Sequence, residues 1–103
     1  MIQRSSEALL DLTGHLLYLR REAGAQIALR FVDSVENALY RLEQFPYLGR
    51  KRNFRQPGIR SWPVSGFRNW LLFYRPVPNG IELFRVLHGS MELETQLGTP
   101  PEN

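Results

Sequence analysis

No cysteine occurs among the 103 residues. A disulfide framework, a thiolate metal site and a thiol nucleophile are all excluded by that absence. Histidine is nearly as scarce. His15 and His88 stand 73 positions apart with no HExxH-like pair, which argues against a zinc site. Long apolar runs are missing, so no segment is expected to span a membrane. The start, Met1-Ile2-Gln3-Arg4-Ser5, lacks the apolar stretch of a signal peptide. These absences make a cytoplasmic protein of bacterial type the expectation. Lysine is almost absent too: Lys51 is the one exception among thirteen basic residues, the other twelve being arginine.

What is present points to one folded domain. The length fits a single unit, and 12% aromatic residues are more than disordered chains carry. The domain is expected over residues 1–97, with 98–103 as a frayed tail. Charge is unevenly placed. Residues 1–49 carry five basic and six acidic side chains, whereas residues 50–85 carry eight basic and only Glu82 as an acid. Residues 86–103 hold Glu92, Glu94 and Glu102 and no base. Arginine's planar fork suits carboxylate or phosphate, so an acidic partner or nucleic acid is one reading of the middle segment. A solvated basic face is the other.

The first half has helical periodicity. Leu9, Leu12, Leu16 and Leu19 recur at three- and four-residue spacing, widened by Leu10 and Leu17, and predict a helix over 6–23. Ser5 or Ser6 can cap it, and Gly24 can end it. Phe31, Val35, Ala38, Leu42 and Phe45 predict a second helix over about 25–45, ended by Pro46. So short a turn folds the pair into an antiparallel hairpin. Residues 46–58, with Pro46, Gly49, Pro57 and Gly58 around a basic stretch, read as a loop. From Ile59 the period becomes two. Strands are expected at 59–64, 68–75 and 81–88, turning at Ser65-Gly66 and across 76–80, where Asn79-Gly80 can take positive φ. Pro63 suits a strand edge or end. The middle strand has Trp70, Leu72 and Tyr74 on one face and Leu71 and Phe73 on the other, the pattern of a central strand. The last strand divides into Ile81, Leu83, Arg85, Leu87 and Glu82, Phe84, Val86, His88. Residues 90–97 add a helical turn or a short strand. The fold class is α+β: an N-terminal helical hairpin packed on a small, mainly antiparallel sheet of three to four strands.

The order of these pieces carries a resemblance. Ile59-Arg60-Ser61-Trp62-Pro63-Val64-Ser65-Gly66-Phe67-Arg68-Asn69-Trp70-Leu71-Leu72-Phe73-Tyr74-Arg75, followed by Ile81-Glu82-Leu83-Phe84-Arg85-Val86-Leu87-His88-Gly89, closely resembles toxins of the ParE/RelE superfamily. Ala8, Asp11 and Leu12, then Gly24, Ala28 and Phe31, then Leu42, Phe45, Pro46 and Gly49 follow the same pattern. The wording is nearer the ParE branch, also described as plasmid-stabilisation toxins. The resemblance implies the toxin of a type II toxin–antitoxin pair, neutralised by a cognate ParD-like antitoxin and poisoning DNA gyrase. RelE-like members instead cut mRNA in the ribosome, which is the alternative. An inactive remnant that only binds antitoxin is a third reading. No cofactor is implied. A homodimer or a toxin–antitoxin hetero-oligomer is open.

Two departures from the family pattern stand out. Only Met1 to Arg4 precede the first helix, so the expected first strand is a stub or missing, and a sheet edge or groove is expected to lie open there. The family's His-Gly-Ala-Arg-Asp is here His88-Gly89-Ser90-Met91-Glu92. If the chain were a nuclease, Arg68 would face the phosphate and His88 would be a base. The lysines and the C-terminal Arg and Tyr that assist nuclease members are unmatched. The plainer readings are a salt bridge or sheet cap for Arg68 and a hydrogen-bonded strand end for His88. Arg85 needs a partner on its apolar face, with Asp11 or Glu7 as candidates. The expected antitoxin- or target-binding residues are Arg50, Lys51, Arg52, Arg55, Arg60 and Trp62, taking an acidic peptide that folds on binding. Trp62, Trp70 and Tyr74 are otherwise core residues, and the outer edges of the helical stripes can seat an antitoxin helix.

Overall fold

A computed structural model describes residues 1–100. The elements are β1 (Ile2–Arg4), α1 (Ser6–Ala23), α2 (Ala25–Gln44), β2 (Arg50–Lys51), β3 (Arg60–Val64), β4 (Phe67–Val77), β5 (Gly80–His88) and α3 (Leu93–Leu97). The five strands form one sheet in the order β1-β5-β4-β3-β2. β1 runs parallel to β5, and the other neighbours are antiparallel. The expected α+β fold is observed, with two short strands added at the sheet's margins. One of them, β2, lies inside the stretch expected to be loop. Its two exposed residues pair with Ser61 and Arg60, and a pair that short has no alternation to read.

Helix α1 is capped as expected, by the Ser5 hydroxyl accepting the Ala8 N–H at 3.0 Å. Gly24 joins α1 to α2 at φ 98 and ψ 164, a region essentially reserved for glycine. Helix α2 is strongly amphipathic and buries Ala28, Phe31, Val35, Ala38, Leu39 and Leu42. Phe45 falls past the helix end and is exposed. Those residues pack on Val64, Leu72, Tyr74, Ile81, Leu83 and Val86 of the sheet, with Trp62 and Trp70 partly buried beside them. The sheet's second face holds Phe73 and Leu87, covered by Phe54, Ile59 and Leu97. β4 is central and divides its aromatic and leucine side chains between the two faces as its alternation predicts.

β5 does not alternate regularly. Phe73 pairs with Arg85 and Tyr74 with Leu83, so Phe84 is an extra residue, a bulge. The bulge moves Leu87 to the face opposite Ile81 and Leu83, which corrects the single face expected for all three.

The open edge expected from a stub first strand is closed. β1 pairs residue for residue with Ile81, Glu82 and Leu83. Gly80 permits this approach, because a Cβ there would strike the Met1 carbonyl. Beyond Leu83, α1 takes over the edge. The Ser5 N–H donates to the Leu83 carbonyl at 3.0 Å, and the Ser5 hydroxyl to the bulged Phe84 carbonyl at 2.6 Å. Asp11 Oδ2 accepts the Val86 N–H at 3.0 Å, and His15 Nε2 donates to the Val86 carbonyl at 2.6 Å. Two side chains one helical turn apart thus pair with Val86 as a neighbouring strand would. This also explains why the first helix departs from its expected stripe. Its inward face carries Ala8, Asp11, Leu12, His15 and Leu19, while Leu9 is exposed. Of the expected tail, Gly98 closes α3 by donating to the Glu94 carbonyl at 2.8 Å. Residues 101–103 lie outside the described residues.

Candidate functional site

The end of the β4–β5 ladder brings together Trp70 and His88, which pair across neighbouring strands. Their rings meet edge to face, centroids 4.5 Å apart. From α1, His15 lies 6.1 Å from Trp70, also edge to face. With Tyr18 and Ser90 these residues line a cavity of about 290 Å³. His88 is committed to a turn: Nδ1 accepts the Ser90 N–H at 3.0 Å, and the Ser90 hydroxyl lies 2.6 Å from the same nitrogen. The neutral ring therefore carries its proton on Nε2. His15 spends Nε2 on the Val86 carbonyl. The Trp70 indole N–H is buried without a conventional acceptor, among the rings of His15, Phe31, Phe67 and His88, which all meet it edge to face. Arg68, the second residue of β4 and two before Trp70, is exposed, and its side chain makes no hydrogen bond or ion pair among the described residues. Chemically, the cavity presents a donor at His88 and aromatic walls. It brings no carboxylate against either imidazole to orient it as a base.

The basic segment separates into two kinds of residue. Arg50 and Lys51 are exposed on the edge strand β2, and Arg55 is exposed with its stem against Gly98. Arg52 and Arg60 are turned inward. Arg52 donates to the Ser61 hydroxyl at 3.1 Å and lies over the rings of Phe54 and Phe73 at 5.4 and 5.5 Å. Burial, and then the charge of Arg50, push its pKa below the ordinary arginine value. Arg60 donates to the carbonyls of Tyr47 and Gly49 and covers the Tyr47 ring at 5.0 Å. Trp62 is half-buried and lines a polar cavity of about 410 Å³ with Ser34, Asn37, Ala38, Arg41 and Ser65. Between the helices, Leu9, Leu12, Thr13, Leu16, Val32 and Val35 line an apolar cleft of about 180 Å³.

Arg85 finds the acid expected for it. Asp11 receives its Nε at 2.7 Å and its Nη2 at 3.0 Å, a bidentate pair. The hydrogen bond and charge of Asp11 raise the guanidinium's pKa. The sequence does not bring His15 to this site, because 73 positions separate it from His88. The readable signal was its place one turn after Asp11 on the same helix face. Among the described residues, no three His, Asp or Glu side chains converge.

Comparison with known proteins bears on this arrangement. A family model described as the ParE toxin of the type II toxin–antitoxin system parDE matches residues 2–93. The chain is 35% identical over 75 residues to the toxin ParE3 of Caulobacter vibrioides, covering 73% of this chain and 72% of that protein. It also resembles a solved chain of the chromosomal ParDE toxin–antitoxin system from P. aeruginosa. There the TM-score is 0.70 at 20% identity, over 84% of this chain and 92% of the other.

Proposed function

The chain belongs to the ParE toxin family of type II toxin–antitoxin systems, and from that premise we propose that it poisons DNA gyrase in the cytoplasm by binding, without chemistry of its own, and is neutralised by a ParD-like antitoxin. The observation that carries the choice of binder over nuclease is the state of His88. Both Ser90 donors converge on its Nδ1, so the ring serves the turn after β5. Metal-independent RNA cleavage needs a group to deprotonate the 2′-hydroxyl, a donor to the leaving oxygen and cations on the phosphate. At this end of the sheet one exposed arginine, Arg68, stands near one imidazole already hydrogen-bonded. A RelE-like ribosome-dependent nuclease is the second reading, and it rests on the unpaired Arg68 two residues from the Trp70–His88 pair.

The antitoxin's approach is proposed along two surfaces. Arg50, Lys51 and Arg55 offer exposed charge to an acidic peptide, and the cleft around Leu9, Leu12, Leu16 and Val32 offers an apolar seat to an amphipathic helix. Membership in a family named for its antitoxin pairing supports such a partner. The test is gyrase with supercoiled DNA and ATP. Cleaved DNA is expected to accumulate on adding the protein and to disappear when antitoxin is added first. Unperturbed supercoiling at saturating, folded protein would remove gyrase as the target.

A further inference from the structure

The cavity of about 410 Å³ between α2 and the end of β3 is lined almost wholly by side chains that can donate hydrogen bonds. Ser34, Asn37 and Arg41 recur at three- and four-residue spacing, which puts them on one flank of α2. Trp62 and Ser65 form the facing wall, and Ala38 completes the lining. Val32, from the interhelical cleft, stands on the opposite side of α2, so the two hollows are separate. Among the described residues, the side chains of Ser34, Asn37, Arg41, Trp62 and Ser65 make no hydrogen bond or ion pair. No acid lines the cavity. Two acids of α2 are engaged elsewhere, Glu36 with Arg4 and Glu43 with the Met1 ammonium group. Arg4, Arg75 and Arg85 each hold an acid within the fold, whereas Arg41 has no acid three or four residues away on its own helix.

We propose that this cavity is a nucleotide site, with a phosphate on Arg41 and the base against Trp62. Arg41 supplies a planar fork of donors that matches phosphate oxygens, and it is charged at every working pH. Ser34 and Asn37 on the same flank, and Ser65 across the cavity, add neutral donors, so a phosphate is met from two sides. A lone carboxylate would use the fork but leave the indole and most of the volume unfilled. The indole packs in part on the core and in part lines the cavity. Every base has a π-face and stacks on such a ring without regard to sequence. The volume lies within the range that small-molecule ligands occupy. Recognition needs one phosphate and one ring, the unit shared by a free mononucleotide and a single strand of nucleic acid. One arginine and one ring make the affinity for a mononucleotide about millimolar.

Nuclear magnetic resonance reads the site directly, because the chain has only two indole N–H groups, those of Trp62 and Trp70. Trp62→Phe tells the two signals apart. Thymidine monophosphate, oligothymidylate and inorganic phosphate are titrated separately to about 10 mM, a range that covers millimolar affinity. The Trp62 signal is expected to shift and saturate with the mononucleotide while Trp70 stays in place. Inorganic phosphate is expected to bind at least about fivefold more weakly, because stacking is missing. Arg41→Ala and Asn37→Asp, both at exposed positions, are expected to keep the parent's thermal midpoint and to weaken the mononucleotide at least about tenfold each. Arg20→Ala removes an exposed charge from α1 and is expected to change the affinity less than about twofold. Oligothymidylate more than about tenfold tighter than the mononucleotide assigns the site to a strand, and a smaller gain assigns it to the free nucleotide. A Trp62 signal unmoved by both, inorganic phosphate as tight as the mononucleotide, or an equal loss in Arg20→Ala would each overturn the proposal. So would a glutamate-rich peptide that saturates the Trp62 shift at lower concentration than either nucleotide ligand. Neither gyrase nor antitoxin takes part, so failure here is separate from failure of the functional reading.

Discussion

Tyr74 uses both halves of its hydroxyl, accepting the Gly49 N–H at 2.8 Å and donating to the Pro46 carbonyl at 2.7 Å. It thereby holds the segment after α2 against the sheet. Tyr74→Phe leaves both backbone groups without that partner and is expected to cost about 1–3 kcal/mol at neutral pH. Burial raises the phenol's pKa above its ordinary 10.0, partly opposed by the Gly49 bond and Arg60. A raised folded pKa gives stability that is complete below the unfolded value and is lost as pH climbs through the folded one. The gap between parent and Tyr74→Phe should accordingly narrow above about pH 10 in urea titrations; a gap constant across that window would contradict the assignment. Asp11 is a second such residue. Its carboxylate receives Arg85 and the Val86 N–H together, and both side chains of the ion pair are mostly buried. Asp11→Ala is expected to cost about 3 kcal/mol. Asp11→Asn, which keeps an acceptor for Val86, is expected to cost about half as much. Equal costs would mean that the edge bond contributes nothing.

At the scale of elements, the helices behave unequally. Phe31 is fully buried where the rings of Phe67 and Trp70 meet it edge to face at 5.2 and 5.6 Å. Phe31→Ala is expected to lower stability by about 3–5 kcal/mol. Leu16 is only partly buried beside the core, so its truncation is expected to cost about 1–2 kcal/mol. Chemical denaturation orders the two, and a larger loss at Leu16 would reverse the packing described here. This inequality was only half legible in the sequence. α2's stripe was, because its inward face is wholly apolar. α1's was not, because the helix lies along the β5 edge, where Asp11 and His15 satisfy backbone groups that leucine cannot. The alternation of β4 was legible for the same reason as α2's stripe. The bulge at Phe84 was not, since an extra residue changes which side chains share a face without changing their kinds.

For the molecule as a whole, the basic stretch shows what composition hides. Eight basic residues between 50 and 85 look like one patch in sequence. Folded, Arg52, Arg60, Arg75 and Arg85 are engaged with Ser61, backbone carbonyls, Glu82 and Asp11. Arg50, Lys51, Arg55 and Arg68 remain exposed. No sequence pattern distinguishes an arginine that closes a loop from one that faces a partner, because both alternate with the same neighbours. The division predicts different failures. Arg50→Glu with Lys51→Glu should slow antitoxin association and flatten its salt dependence at unchanged stability. Arg60→Glu should instead unfold the protein at lower urea. Unchanged association kinetics in the β2 pair would make that strand a solvated edge.

The proposed mode of action is binding, with no chemistry at Arg68 or His88. The most direct measurement places the parent and the variant Arg68→Ala with His88→Asn side by side in two assays, translating ribosomes with mapped mRNA ends and gyrase with DNA and ATP. Asn offers an acceptor where Nδ1 takes the Ser90 N–H, so the turn is kept. No codon-dependent mRNA cuts are expected from either protein, and equal accumulation of cleaved DNA is expected from both. Specific mRNA cuts by the parent that vanish in the variant would contradict it.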